Sequence, residues 1–247
     1  MNEALELDLN QLPQLDNQFF EEENVDIVAQ KLIGAILIFD DGEAGPVGGS
    51  IVETEAYDDR DPTSHSYSDD HYPPKKGSEA MFLPGGHAYV FAASHGFCLN
   101  FVVGPKGVGS AVLIRALKPL RGKKVMRIRR GPYCRDAIEN EALLCHSPVT
   151  LCEALGVSDY QNGASLFELP FRLYARQCVP QLMSGPRVRV ASTIRRLRPK
   201  LAGSASAAVN AKRRWIDKAH TKFVKERIEQ PILTSLGRTT EETAERT

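Results

Sequence analysis

The sequence predicts a mixed α+β fold, in which a β-rich core is accompanied by helices. β-like runs of apolar residues recur along the chain, and the first five are AILIF, GGSIVETEAY, AMFLPGGHAYVFAAS, GFCLNFVVG and GSAVLIRALKPL. Helical spacing of apolar residues marks the segments NVDIVAQKLIG and SPVTLCEALG. The 247 residues are 42% apolar and 25% charged, a composition that can bury a sizeable core in one large domain or two small ones.

The first helix and the first two strands form a continuous pattern. The helix is expected to begin at Asn24, to end at Gly34, and to lead into the strand AILIF. The turn residues Asp-Asp-Gly at 40–42 then return the chain into GGSIVETEAY. Because side chains alternate across a strand, Glu53, Glu55 and Tyr57 are predicted to share one face.

The middle of the chain combines a long loop with further strands and helices. Residues 58–79 lack an apolar period and are predicted to form a loop, and loops of this length tend to be functional. The last of the early β-runs carries Arg115, and the following segment KPLRGKKVMRIRRG, with seven basic residues, is predicted to be helical. A capped helix is expected from Ser147 or Pro148. SLFELPFRLYA and GPRVRVAST are predicted to be β-like.

The charge distribution divides the chain into three parts. Formal net charge is zero, but residues 1–30 contain eight acidic residues and no Lys or Arg. Thirteen basic residues lie between Arg187 and Arg227 against only two acidic ones. We predict an acidic N-terminal arm over 1–23 that is not part of the core, a domain over 24–204, and a basic, helical C-terminal extension over 205–247.

Composition also excludes several classes of protein. Five cysteines without regular spacing and a polar N-terminus favour a reducing, cytoplasmic location. No stretch approaches the roughly 20 apolar residues that span a bilayer, so no membrane partner is expected. No cysteine and histidine spacing fits a zinc site, and neither a metal nor a cofactor is expected. No repeat or heptad pattern is present, so a monomer is expected.

Seven blocks of sequence resemble those of the alkyladenine, or 3-methyladenine (methylpurine), DNA glycosylases, and they occur in the family's order. They are IVETEAY, DPTSHS, AMFLPGGHAYVF, CLNFV, AVLIRALKPL, LCHSPVTLCEAL and GPRVRV. The resemblance implies that 24–204 is a catalytic domain with a curved antiparallel β-sheet, flanking helices and a β-hairpin that probes DNA. It also implies hydrolysis of an N-glycosidic bond in damaged DNA, starting base excision repair, after a purine is flipped out of the stack.

The resemblance assigns roles to individual residues. Glu55 matches the carboxylate that activates water, and Arg115 matches the arginine that positions it. The pocket for the flipped purine is matched by Tyr57, Thr63, His65, Phe91 and Asn100. The tip of the hairpin, which probes the gap in the DNA, is matched by Ser94 and His95, where the family more often has a tyrosine. The matched blocks contain no lysine nucleophile, so abasic-site lyase activity is not expected.

Two other functions fit parts of the pattern. A DNA-lesion binding protein without catalysis would keep the same pocket, although only hydrolysis requires both Glu55 and Arg115. An unrelated small-molecule hydrolase could use Glu55, but the basic C-terminal third and the absence of a nucleophile motif disfavour this class.

Overall fold

A computed structural model describes residues 9–131 and 136–226, and these form one α+β domain. Its strands are β1 (Ile36–Phe39), β2 (Val47–Tyr57), β3 (Ala88–Ala93), β4 (Gly96–Val103), β5 (Ser110–Arg121), β6 (Phe171–Tyr174), β7 (Leu182–Gly185) and β8 (Arg214–Asp217). Its α-helices are α1 (Asn17–Phe20), α2 (Val25–Leu32), α3 (Lys123–Arg130), α4 (Asp136–Glu139), α5 (Pro148–Leu155), α6 (Val190–Leu197) and α7 (Ser206–Asn210). The predicted fold class is confirmed.

The eight strands form one antiparallel sheet with β2 at its centre. The order is β3-β4-β5-β2-β1-β6, and β8 joins β2 beyond the end of β1. One edge of β2 therefore pairs with two strands: its first half pairs with β1, and residues 53–55 pair with β8. The other edge pairs with β5 through several shifts of register. This arrangement buries Glu53 and Glu55 in the middle of the sheet.

Helices α2 and α5 pack against the sheet and close the main core. Asn24 caps α2 by accepting hydrogen bonds from two main-chain N–H groups, as expected for an N-cap residue. Ser147 and Thr150 form a capping box at the start of α5, and Pro148 occupies the first turn. Thr54, on the face of β2 opposite Glu53 and Glu55, donates a hydrogen bond to the carbonyl of Ala29 at 2.9 Å. The sequence patterns of both helices therefore predicted elements that pack against the sheet, α2 on β2 and α5 on β4 and β5.

Three predictions at the edges of the domain are wrong. Phe20, in the predicted arm, is fully buried in the main core, so this part of 1–23 belongs to the domain. The β-like stretch GPRVRVAST instead leads into helix α6, because Arg189 takes a positive φ of 59° that ends the extended conformation. Residues 214–217 of the predicted helical extension form strand β8 of the central sheet. The predictions for residues 1–8 and 227–247 lie outside the described residues.

Some boundaries also differ from the sequence prediction. The basic segment after Arg115 begins as the end of β5, and only Lys123–Arg130 is helical.

Across residues 9–131 and 136–226, none of the helices has the length and apolar character required to cross a membrane.

Candidate active site

The nine residues predicted for the site line a single cavity of about 620 Å³ beside the central sheet. They are Glu55, Tyr57, Thr63, His65, Phe91, Ser94, His95, Asn100 and Arg115. Strands β2, β3, β4 and β5 supply most of them, and the loop after β2 supplies Thr63 and His65. The volume falls within the range of about 300–1,000 Å³ that is typical of small-molecule pockets.

Glu55 lies at the buried end of the cavity, with 1% of its surface exposed. Its Oε1 accepts a hydrogen bond from the main-chain N–H of Val188 at 2.7 Å. Its Oε2 accepts one from the hydroxyl of Tyr57 at 2.8 Å. Arg115 Nη1 lies 3.3 Å from Oε1. Donors thus approach both oxygens and fix the orientation of the carboxylate.

Arg115 contacts a different carboxylate with each of its three guanidinium nitrogens. Nε donates to Glu53 Oε1 at 2.8 Å, Nη1 lies near Glu55, and Nη2 donates to Glu226 Oε2 at 3.2 Å. Although burial is the largest influence and opposes the charge, Glu55 and Glu53 raise the pKa of Arg115 above its ordinary value. Arg115 is therefore a fixed, permanently charged neighbour of Glu55.

Glu53 lies beside Glu55 and Arg115 and binds two arginines. Its Oε1 accepts hydrogen bonds from Arg115 at 2.8 Å and from Arg214 Nε at 2.6 Å. Complete burial raises the pKa of the Glu53 carboxyl, and the two arginines oppose that rise. Glu53 and Glu55 occupy the same face of β2, but only Glu55 lines the cavity.

The aromatic side chains Tyr57, from β2, and Phe91, from β3, both line the cavity. Tyr57 is held by its hydrogen bond to Glu55 and by Arg187, whose guanidinium carbon lies 4.5 Å from the centre of the tyrosine ring. Phe91 contacts His65, with ring centres 4.6 Å apart and the rings nearly perpendicular. The sequence predicted both aromatic residues, but not the arginine that supports the first.

Polar residues surround these aromatic rings. The Asn100 amide donates to the carbonyls of Tyr89 at 3.1 Å and Cys98 at 3.5 Å, which fixes its orientation. Thr63 donates from its hydroxyl to Asp61 at 2.6 Å. His65 Nδ1 is 2.8 Å from the Tyr89 hydroxyl. Burial, and then the charge of Lys75, lowers the pKa of His65 to about 3, so the ring is neutral at physiological pH.

The tip of the β3–β4 hairpin forms part of the rim. Ala93 pairs with Gly96, which leaves Ser94 and His95 as a two-residue turn. Both residues are exposed and line the cavity. The hairpin is present as the sequence predicted, with a small and a medium-sized polar side chain at its end.

Several cavity residues were not predicted from the sequence. Val188 and Arg189 belong to the GPRVRV block. Because this block was predicted to be a strand, the hydrogen bond from the main-chain N–H of Val188 to Glu55 was not predicted. Lys225 and Glu226 reach the cavity from the predicted extension. Lys75, in the loop after β2, also lines the cavity and lies outside the matched blocks. In the part of the chain that the structure describes, no cluster of three His, Cys, Asp or Glu side chains could hold a metal ion.

A buried carboxylate beside an arginine, at the wall of a cavity lined by aromatic rings, is an arrangement suited to a hydrolase that acts on a planar ring. The comparisons with known proteins show which class of hydrolase this is, a DNA glycosylase.

The sequence profile described as Methylpurine-DNA glycosylase matches residues 18–200. A protein of Nitrosospira multiformis named for 3-methyladenine DNA glycosylase is 43% identical over 173 residues, covering 69% of this chain and 81% of its own. Proteins with the same name from Rhodopseudomonas palustris and Agrobacterium fabrum are 41% and 38% identical, covering 72% and 74% of this chain and 79% and 85% of theirs. The chain belongs to the methylpurine-DNA glycosylase family.

Proposed function

We propose that this protein flips an alkylated or deaminated purine out of DNA and hydrolyses its N-glycosidic bond with water activated by Glu55. The proposed substrates are 3-methyladenine, 7-methylguanine, hypoxanthine and ethenoadenine. One observation carries the proposal: Glu55 is buried at the end of a cavity of about 620 Å³, with Arg115 at 3.3 Å and the ring of Tyr57 beside it. Such a cavity requires the base to leave the stack before it can react.

The proposed reaction is a displacement at the anomeric carbon of the nucleotide. Glu55 accepts a proton from water as the water oxygen bonds to that carbon, and the electron pair of the breaking C–N bond passes to the departing purine. Arg115 holds the Glu55 carboxylate in place. Because its charge is shared among three carboxylates, it also remains in place after Glu55 becomes protonated.

Tyr57 and Phe91 would replace the stacking that the purine loses when it leaves the duplex. Stacking on an aromatic side chain contributes about 1–3 kcal/mol per base. Asn100 is fixed by two main-chain carbonyls, so it can exclude a purine whose exocyclic amino group points at it. The proposed specificity therefore depends on rigid side chains in the cavity wall.

Basic residues around the cavity suit binding to the DNA backbone. Arg189 and Arg196 line its rim and are exposed, next to the exposed Ser94 and His95 of the hairpin. Phosphate contacts by such side chains make affinity fall steeply with salt. The proposed partner is damaged DNA, bound by a monomer in the cytoplasm.

The test is release of a base from duplexes that carry one of the four lesions, detected by alkaline cleavage of the abasic product. Without alkali the strand is expected to stay intact, because no lyase activity is proposed. Glu55→Gln is expected to lower the single-turnover rate by about 10²- to 10⁴-fold, since a neutral amide cannot accept the proton. The exposed Glu43 supplies a matched control, and Glu43→Gln is expected to retain the full rate.

Two results would overturn this proposal. Binding of the lesion without base release would support a non-catalytic binding protein. Release at an unchanged rate by the Glu55→Gln variant would show that another group activates the water.

A further inference from the structure

Lys75 brings an uncompensated positive charge to the cavity. Its Nζ lies 4.6 Å from the centre of the Phe91 ring and 3.4 Å from Nε2 of His65. Across residues 9–131 and 136–226, no carboxylate lies within ion-pair distance of this ammonium group. Partial burial lowers the pKa of Lys75, as expected for an ammonium group that lacks such a partner.

The other cation beside an aromatic wall is neutralised. Arg187 stacks on Tyr57 and forms a buried ion pair with Asp61. The two walls therefore differ: the Tyr57 side carries a paired charge, whereas the Phe91 side carries the free charge of Lys75. A purine bound against Phe91 would therefore lie next to the ammonium group of Lys75.

The hydrogen bonds of His65 assign the donor role on this side to Lys75. An ammonium group can only donate, so Nε2 of the neutral His65 must accept when it is bonded to Lys75. Nδ1 then carries the hydrogen and donates to the Tyr89 hydroxyl. In this arrangement, Lys75 rather than His65 presents free N–H donors to the cavity.

The proposed substrates fall into two groups by charge. Alkylation of a purine nucleotide at N3 or N7 gives the ring a positive charge, whereas hypoxanthine and ethenoadenine nucleotides are neutral. A cationic ring against Phe91 would be repelled by the ammonium group of Lys75. A neutral ring avoids this repulsion, and the carbonyl oxygen of hypoxanthine can also accept a hydrogen bond from it.

Building on the proposed function, we propose that Lys75 determines specificity by charge, favouring neutral damaged purines over cationic ones. The residue acts on the base and not on the water, so it changes the choice of substrate and leaves the Glu55 chemistry in place.

The experiment compares two single-turnover rates for each variant. One is release of 3-methyladenine from freshly methylated duplex, and the other is release of hypoxanthine from a matched duplex, both quantified by chromatography. Lys75→Met removes the charge and keeps the length of the side chain. It is expected to raise the ratio of 3-methyladenine to hypoxanthine release by about tenfold. Lys75→Arg keeps the charge and is expected to leave the ratio unchanged.

Lys76 provides the matched control, because it is the next residue, is exposed like Lys75, and does not line the cavity. Lys76→Met is expected to change both rates equally, if at all. Raising salt offers a second measurement that requires no variant, since screening shortens from about 10 Å at 0.1 M to about 3 Å at 1 M. The ratio for the unaltered protein should then move towards that of Lys75→Met.

An unchanged ratio in Lys75→Met, with both lesions still released, would overturn the role of Lys75 and leave the proposed function standing. An equal shift in Lys75→Met and Lys76→Met would also overturn it, because the effect would then come from general attraction to DNA. Failure of the unaltered protein to release either base would instead contradict the proposed function itself.

Discussion

Replacing Arg187 by methionine should destabilise the fold and the site together. Arg187 is fully buried and pairs with Asp61, whose side chain is 3% exposed. It also donates to the carbonyls of Ala56 at 2.8 Å and Ala208 at 2.9 Å. The variant leaves the Asp61 carboxylate without its closest charged partner. It also removes the hydrogen bonds that Arg187 donates to these two carbonyl oxygens.

The size of this effect follows from the burial of both partners. Removing one partner of a buried ion pair costs about 3–5 kcal/mol. For a chain of this size, each kcal/mol corresponds to about 2–4 °C, so the melting temperature should fall by about 6–20 °C. Arg129→Met is the control, because the Arg129–Asp41 pair is 20% and 26% exposed and its loss should cost about 1 kcal/mol.

Thermal and urea unfolding of Arg187→Met, Asp61→Asn and the double variant would measure the coupling between the two residues. The double variant should be more stable than the sum of the single effects predicts, because it contains no unpaired buried charge. Base release should also fall in Arg187→Met, since Tyr57 loses the group that supports its ring. A loss of stability no larger than that of Arg129→Met, or strict additivity of the single effects, would refute this reasoning.

Three further predictions concern the rim and the buried charges. The pKa of His65 is about 3 in the fold and 6.5 in a free side chain, so its contribution to stability is complete above pH 6.5 and is lost as the pH falls towards 3. When urea unfolding is measured at several pH values, the unfolding free energy of His65→Gln should therefore change less with pH than that of the unaltered protein. Glu226→Gln should lower the unfolding free energy by about 1 kcal/mol or less, since this partner of Arg115 is 31% exposed; a loss as large as that of Arg187→Met would contradict this. Ser94→Tyr should speed base release by about tenfold, because an aromatic ring at the hairpin tip can fill the gap left by a flipped nucleotide; an unchanged single-turnover rate would argue against a probing role for the tip.

The sequence predicted the central strand and two helices that pack against the sheet, because local patterns determine them. Alternation in GGSIVETEAY places Glu55 and Tyr57 on one face, and in the structure the Tyr57 hydroxyl lies 2.8 Å from Oε2 of Glu55. The apolar pattern that begins at Asn24 and the capping residues from Ser147 mark the starts of α2 and α5, and both residues are N-caps in the structure. These features depend on neighbours only a few residues away.

The missed features depend on contacts between distant segments. The alternation in RVRV resembles a strand, but Arg189 takes a left-handed backbone conformation and Val190 and Ile194 become buried one helical turn apart. RWID lies in a basic segment with a helical pattern, yet it forms a strand because residues 53–55 of β2 offer a free edge. Neither outcome can be predicted from a window of local residues.

The position of β8 has a consequence for synthesis of the protein on the ribosome. Residues 53–55 have no β8 strand to pair with until residues about 160 positions later are synthesised, since Glu53 pairs with Ile216. Until that partner emerges, the nascent chain exposes an unpaired strand edge that carries two carboxylates, and these charges oppose pairing with other chains. A chain that ends before Arg214 is therefore expected to leave this strand edge without its β8 partner.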